Sequence, residues 1–600
     1  MPGSRWNDPP AGVRRRGPAG ARGVRRAPVA AVGRALSPRG ALALREVDGA
    51  FLFAARAAVG MGVAAVPIVA AGRPDLAVYA MLGSFTSTFG RDLPYARRAR
   101  VLALAAVAMT ACVGGGSALA LATRPGGTTA GAAWVVAATA VVAGVAKFVC
   151  DAARLEGLGA VLLLFSFAVA ANAPAGRADV GTCTALAAAG AALAWPLGVS
   201  GRLVHPDRPQ RLAVANAQRA VAELLEASGA GDVPRRTRHG ATVAVLHAYR
   251  CLGRPPPARP RTPAPGRDAV FVRLTDRSWT LLVRSAQDAV DDPAGMARHL
   301  RGQARLLTGR RHRLPSGLYE APPGTAPPGA AGGTARTAAA GATETDAAAL
   351  RAGELLVGRP GHGVHLGVLA VPALRMALGT GAAGGLAALL HLEHGYWAAV
   401  TAAAVLHSVN LRTTAQRAVQ RTLGTATGLL IALVLLAAHP EPLALALVIV
   451  CLEFLLEYLV ARNYALGVVF LTPMALLLSD LAAPAPTGEL VLDRVLGSVL
   501  GIAVGLLCAL LVVHDRAATR VDRALAACAA LADEAERTRS GTSSAPLALV
   551  QVRLATAVVE LREADDAAAG ELWPAGIDPA GLAATERRAY TLLAELDRRR

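Results

Sequence analysis

Long apolar runs separated by short loops dominate this chain. Twelve such runs fall in two groups of six, at 51–71, 76–92, 101–122, 131–150, 157–174 and 180–200, and at 365–390, 396–410, 421–438, 441–460, 463–480 and 494–513. A helix needs about 20 apolar residues to cross the hydrocarbon layer, so the pattern predicts an all-α, polytopic membrane protein. The second and eighth runs are short or broken by glycine.

The loops carry an uneven charge. Arg91, Arg97, Arg98 and Arg100 follow the second run, and Arg412, Arg417 and Arg421 lie between the eighth and the ninth. Arg202, Arg208 and Arg211 follow the sixth, and Arg516 and Arg520 the twelfth. The alternate loops hold little beyond Arg73, Arg124, Arg177, the segment His391–His394 and His439-Pro-Glu-Pro. Arginine-rich short loops stay on the cytoplasmic side. Both termini and the middle segment are therefore expected in the cytoplasm, and six spans per group make the two groups parallel.

Between and after the groups the periodicity becomes amphipathic. Helices are predicted at 208–228, 238–252 and 267–308, and at 516–538, 545–569 and 579–598, with Leu, Ala and Val on one face and Arg and Glu on the other. A proline-rich stretch, 254–265, interrupts the first set, and 321–345 is a low-complexity Pro/Gly/Ala linker. The expected organisation is a basic cytoplasmic N-terminal arm at 1–48, a six-helix membrane domain at 49–203, a cytoplasmic helical region with its linker at 204–362, a second six-helix membrane domain at 363–514 and a cytoplasmic C-terminal helical bundle at 515–600. The first 46 residues hold ten arginines, a composition suited to anionic lipid headgroups, and no apolar segment with a cleavage site follows promptly, which argues against a cleaved signal peptide.

Composition narrows the chemistry. The chain is 54% hydrophobic and 17% charged, against about 25% charged in a soluble domain, and its mean hydropathy is +0.41. Lys147 is the only lysine, in Ala-Lys-Phe, so a phosphate-binding P-loop is excluded. The seven cysteines form no CxxC and read as small buried hydrophobes. No metal pattern, cofactor motif or Ser-His-Asp arrangement stands out, so no cofactor and no enzymatic activity are expected; His391-Leu-Glu393-His394 is not HExxH. The arginine patches lack interleaved aromatics, which argues against nucleic acid as a partner.

The two groups carry matching polar anchors. Leu203-Val-His205-Pro-Asp207-Arg208 ends the first, and Val512-Val-His514-Asp515-Arg516 the second. Phe148 aligns with Phe454, Gly159 with Gly467, and Ala173-Pro174 with Ala485-Pro486. The chain thus reads as a duplicated unit of six helices plus a helical tail, an architecture of transporters that handle substrate between their halves.

Charges inside spans are expensive and point to function. Lys147 and Asp151 stand four apart on the fourth span, and Glu453 and Glu457 occupy the aligned positions on the tenth. Lys147 is the expected cation for these glutamates if spans four and ten approach; boundary charges that snorkel to water are the competing account. Arg412, Arg417 and Arg421 suit bidentate binding of carboxylates, although membrane topology explains the same residues without a ligand.

Gly395-Tyr396-Trp397-Ala-Ala-Val-Thr401, followed by Arg412-Thr-Thr, Arg417, Arg421, Leu423-Gly424-Thr425 and Gly428, resembles the FUSC family, the fusaric acid resistance and aromatic acid exporter-like integral membrane proteins of bacteria. The resemblance is good over about 366–515 and weaker over 50–205, where Tyr79 and Arg100 keep the spacing of Tyr396 and Arg417 but the Gly-Thr is missing. It implies a transporter that exports aromatic or other organic carboxylic acids across the bacterial cytoplasmic membrane, with Tyr396, Trp397, Thr401 and the three arginines as candidate substrate residues. Alternatives are an anion channel, since the pattern is similar to the plant malate-channel family, a major-facilitator-type carrier, and a non-transporting membrane scaffold. The expected partners are membrane lipids, a small organic anion and a second copy of the chain.

Overall fold

A computed structural model describes residues 47, 49–123, 129–153, 155, 158–173, 179–229, 235–254, 267–287, 290–309, 366–408, 410–511, 516–543, 545–570 and 578–598. The basic arm, the low-complexity linker and the His514-Asp515 anchor lie outside them. Every regular element among the described residues is helical.

The first membrane group comprises α1 (Ala50–Ala70), α2 (Pro74–Ser84) with a 3₁₀ turn at Phe85–Thr88, α3 (Tyr95–Thr123), α4 (Thr129–Ala152), α5 (Gly159–Ala171) and α6 (Val180–Val199). The second comprises α11 (Leu366–Leu389), α12 (Tyr396–Leu406), α13 (Leu411–Ala437), α14 (Pro442–Val460), α15 (Tyr464–Ala482) and α16 (Thr487–Leu511). Nine of the described helices are long and apolar enough to cross a membrane. Large hydrophobic side chains such as Val63 on α1, Leu104 and Val107 on α3, Val141 on α4, Leu430 and Val434 on α13 and Val499 on α16 stand exposed, as a lipid-facing surface requires. The chain is a multi-pass, all-α membrane protein.

The expectation of twelve full spans is corrected at three places. Helices α2, α5 and α12 have 11, 13 and 11 residues. At a rise of about 1.5 Å per residue they reach only part of a hydrocarbon layer some 30 Å thick. They need not present a lipid-facing stripe, because protein surrounds them: every residue from Trp397 to Leu406 is buried.

Equivalent helices pack alike in the two groups. Helix α2 lies on α6 as α12 lies on α16, and α3 lies on α5 as α13 lies on α15. Across the groups, α1 packs on α14 and α4 on α11, while the buried α2 meets α15 and α5 meets α12.

The amphipathic segments form α7 (Arg208–Gly229), α8 (Arg235–Leu252), α9 (Arg267–Arg284), α10 (Pro293–Thr308), α17 (Arg516–Ser540), α18 (Leu547–Ala568) and α19 (Pro579–Arg598). The single helix expected over 267–308 is broken, because Asp292 adopts a left-handed backbone (φ 43°), caps Gly295 N–H at 2.9 Å and precedes Pro293. The segments between and after the membrane groups share one apolar core, with Tyr249, Phe271, Trp279 and Tyr590 among its largest members. This bundle touches the membrane helices where Gly570 O accepts from Arg412 N–H at 3.0 Å and Asp566 O accepts from Asn410 Nδ2 at 3.3 Å.

Candidate functional site

The three arginines placed between spans eight and nine are in fact helical. Asn410 starts α13 well before its apolar run begins: Asn410 Oδ1 accepts from Thr413 N–H at 2.9 Å, and Thr413 Oγ1 accepts from Asn410 N–H at 3.3 Å. Arg421 is the eleventh residue of the helix, about 15 Å from its start. Helix α16 also begins earlier than its apolar run, at Thr487, which places Arg494 about 10 Å from the helix start. Helices α14 and α15 lie between them in the chain, and the two arginines reach the same short helix, Arg421 at Thr401 and Arg494 at Trp397 of α12.

Glycines bring both helices close to their neighbours. A Cβ on Gly428 of α13 would stand 2.6 Å from Val469 O of α15, and one on Gly497 of α16 would stand 3.0 Å from Trp397 Cβ of α12. Small residues at such crossings let backbones approach closely.

Arg421 and Arg494 are each 1% exposed. Arg421 donates from Nη2 to Thr401 Oγ1 and from Nη1 to Tyr464 OH, both at 3.3 Å. The Arg494 guanidinium carbon sits 4.0 Å above the Trp397 ring, within electrostatic reach of Arg421, Tyr396 and Tyr464. Trp397 stacks on Phe165 of α5 at 5.9 Å and lies tilted against Tyr396 at 4.6 Å, and Tyr396 OH lies 3.2 Å from Ser479 Oγ. Half-buried Arg417 places its guanidinium 5.4 Å from the Tyr464 ring. The sequence-predicted Tyr396, Trp397, Thr401, Arg417 and Arg421 are thus gathered in one place.

Donors outnumber acceptors there. Buried Nε and Nη1 of Arg494, Nε of Arg421, Nη1 of Arg417 and Nε1 of Trp397 have no hydrogen-bond partner. No ion pair joins Arg421 or Arg494 to a carboxylate among the described residues. The acidic residues nearest to Arg494 in sequence are turned elsewhere: Asp493 accepts from His394 N–H at 3.2 Å and lies 2.8 Å from His394 Nδ1, and Glu489 is exposed. The arrangement is a buried cationic site with aromatic walls, electrostatically complementary to an organic anion.

The remaining candidates lie apart from it. Arg412 is at the first turn of α13 and joins the bundle through its backbone. Lys147 pairs with Asp151 on its own helix at 2.7 Å. Glu457 instead pairs with Arg91 at 2.7 Å, and Arg91 also donates to the Glu457 carbonyl at 2.9 Å. The expected Lys147–glutamate contact is therefore corrected: α4 packs on α11 and α14 on α1, so the two charged helix faces do not meet. Glu453 is 1% exposed and its Oε2 has no partner.

Arg494 and Tyr464 were not legible as site residues. Arg494 stands at the first position of the twelfth apolar run, and only Pro486-Thr487 upstream signals the earlier helix start. Arg375 was missed too: it lies within the seventh run and is buried, donating to Ser408 O at 2.6 Å.

The family of fusaric acid resistance protein-like sequences matches residues 382–508, which span α12 to α16 and hold both arginines of the site. The chain is also 24% identical over 554 residues to the uncharacterized membrane protein YvaC of Bacillus subtilis (strain 168), covering 88% of this chain and 83% of that protein. No solved structure matches. The resemblance read from Tyr396-Trp397 and the following arginines is thus borne out over the second membrane group.

Proposed function

We propose that this protein exports organic carboxylate anions, aromatic ones included, across the bacterial cytoplasmic membrane, with both termini and the helical bundle on the cytoplasmic side. The observation that carries the reading is the pair Arg421 and Arg494, both buried, with unpartnered donors and no carboxylate counter-ion among the described residues. A buried charge left unpaired costs several kcal/mol, and a carboxylate ligand offsets that cost through two parallel N–H···O bonds. Trp397, Tyr396 and Phe165 make the surroundings of those donors aromatic, which favours an aromatic ring next to the carboxylate. The match at 382–508 supports a role in resistance to such acids, and the matched segment is the one that builds the site.

In this reading α13 and α16 enter from opposite faces and hold the ligand between them beside the buried short helix α12. In this reading Thr401 and Tyr464 orient Arg421, and Trp397 holds the Arg494 guanidinium flat.

The test is retention of benzoate and hydroxybenzoates in cells that make or lack the protein. Export should depend on the protein and fall in Arg421→Gln and Arg494→Gln at unchanged membrane levels. Equal retention with and without the protein across such a panel would refute the reading. Reporter fusions after residues 205, 340 and 600 should read cytoplasmic, and fusions near 125 and 440 external; an external reading at 340 would overturn the orientation.

A further inference from the structure

Two guanidinium groups share the buried site, and one carboxylate ligand neutralises only one of them. Arg421 already spends Nη1 and Nη2 on neutral hydroxyls, at 3.3 Å each, and keeps a buried Nε without a partner. Among the described residues Arg494 makes no hydrogen bond through Nε or Nη1, and its guanidinium lies over the Trp397 ring. Arg417, at the edge, adds a third cation beside Tyr464. Asp493, next to Arg494 in sequence, is bonded to His394, and Glu489, five residues before Arg494, is exposed. The described site therefore carries an excess of at least two positive charges in an enclosed, low-dielectric setting, where like charges repel strongly.

We propose that the preferred ligand of this site is an aromatic dianion, with two acidic groups on one ring engaging Arg421 and Arg494 separately. The inference rests on the organic-anion reading above and narrows it. Each acidic group gains charge-assisted hydrogen bonds from a different arginine, and the pair of negative charges removes the repulsion between the two guanidiniums. The aromatic part follows from Trp397, Tyr396, Tyr464 and Phe165, the side chains that surround the cations in place of aliphatic ones. A monoanion leaves one guanidinium buried without a counter-charge, so the geometry discriminates by charge before it discriminates by shape.

The experiment measures binding of benzene-1,3-dicarboxylate, benzoate and succinate to the purified full-length protein in lipid nanodiscs at pH 7, where all three are fully or almost fully ionised. Benzene-1,3-dicarboxylate should bind at least about tenfold more tightly than benzoate. Arg494→Gln should remove most of that preference, and Arg494→Lys should keep part of it. Benzoate binding as tightly as the dicarboxylate would overturn the dianion inference and leave the organic-anion reading standing. Succinate binding as tightly as the aromatic dicarboxylate would overturn the aromatic requirement. Absence of binding by all three to folded protein would overturn the anion reading itself. The comparison on the unaltered protein decides the proposal even if a variant fails to fold.

Discussion

Arg494 of α16 holds its guanidinium carbon 4.0 Å above the indole of Trp397 of α12. The contact joins a charge about 10 Å along one helix to the first turn of a short helix sealed inside the protein. It explains how a cation is tolerated there without an acidic partner: the ring face offers negative electrostatic potential in a desolvated place, where such contacts reach about 2 kcal/mol or more.

Removing that ring should destabilise the membrane part. Trp397→Leu deletes the stacking on Phe165 and Tyr396 together with the support of Arg494. A loss of about 3 kcal/mol is expected. Trp397→Phe should lose less, because a smaller ring face remains. Melting of the detergent-purified protein checks this; equal melting of Leu and Phe variants would remove the cation–ring contact from the account.

Arg91 and Glu457 form the ion pair that ties the first membrane group to α14. Arg91→Gln leaves a buried carboxylate without its cation, and a destabilisation on the order of 3 kcal/mol is expected. The double variant Arg91→Gln with Glu457→Gln should recover most of it, since no charge is then stranded. A double variant no more stable than Arg91→Gln alone would show that the pair does not act as a unit.

Asn410 both caps α13 and donates to Asp566 O in the bundle. Asn410→Ala should cost about 1 kcal/mol for the lost cap. Asn410→Asp keeps a capping oxygen but cannot donate to Asp566 O, so it should leave α13 intact and loosen the bundle's attachment. Limited proteolysis between the bundle and the membrane part reads that difference: faster cleavage in both variants is expected, and cleavage no faster than in the unaltered protein would show that the bond to Asp566 does not hold the bundle in place.

Glu586 is buried in the bundle, and burial raises its pKa from 4.5 despite Arg562, Arg235 and Arg238 nearby. The folded bundle therefore binds this proton more tightly than the unfolded chain does. The stability it contributes is fully present below about 4.5 and is lost as pH rises through the folded pKa. His239, half-buried with its pKa lowered by burial, acts with the opposite sign, losing stability as pH falls. The difference between Glu586→Gln and the unaltered chain isolates the carboxylate. Hydrogen exchange in α17 and α19, corrected for intrinsic rates, should be slower in the variant at pH 8 and nearly equal at pH 4.5. Identical exchange at both values would refute a destabilising buried charge.

The alternation of apolar runs and arginine loops was enough to determine the class of protein, because crossing a hydrocarbon layer imposes a length and a polarity that any sequence must display locally. The six-plus-six grouping, the amphipathic helices and the cluster Tyr396, Trp397, Thr401, Arg417 and Arg421 were legible for the same reason: each is a local pattern. Three things were decided only by the tertiary structure. Helix starts at Asn410 and Thr487 depend on capping and on neighbours that enclose polar turns, so apolar runs alone placed Arg421 in a loop and left Arg494 unremarked. The pairing of Glu457 with Arg91, 366 residues away, depends on which helix faces meet, and periodicity records a face without naming what lies against it. The joining of the two soluble segments into one core follows from apolar stripes that each segment exposes alone and that only the folded chain can cover, one against the other.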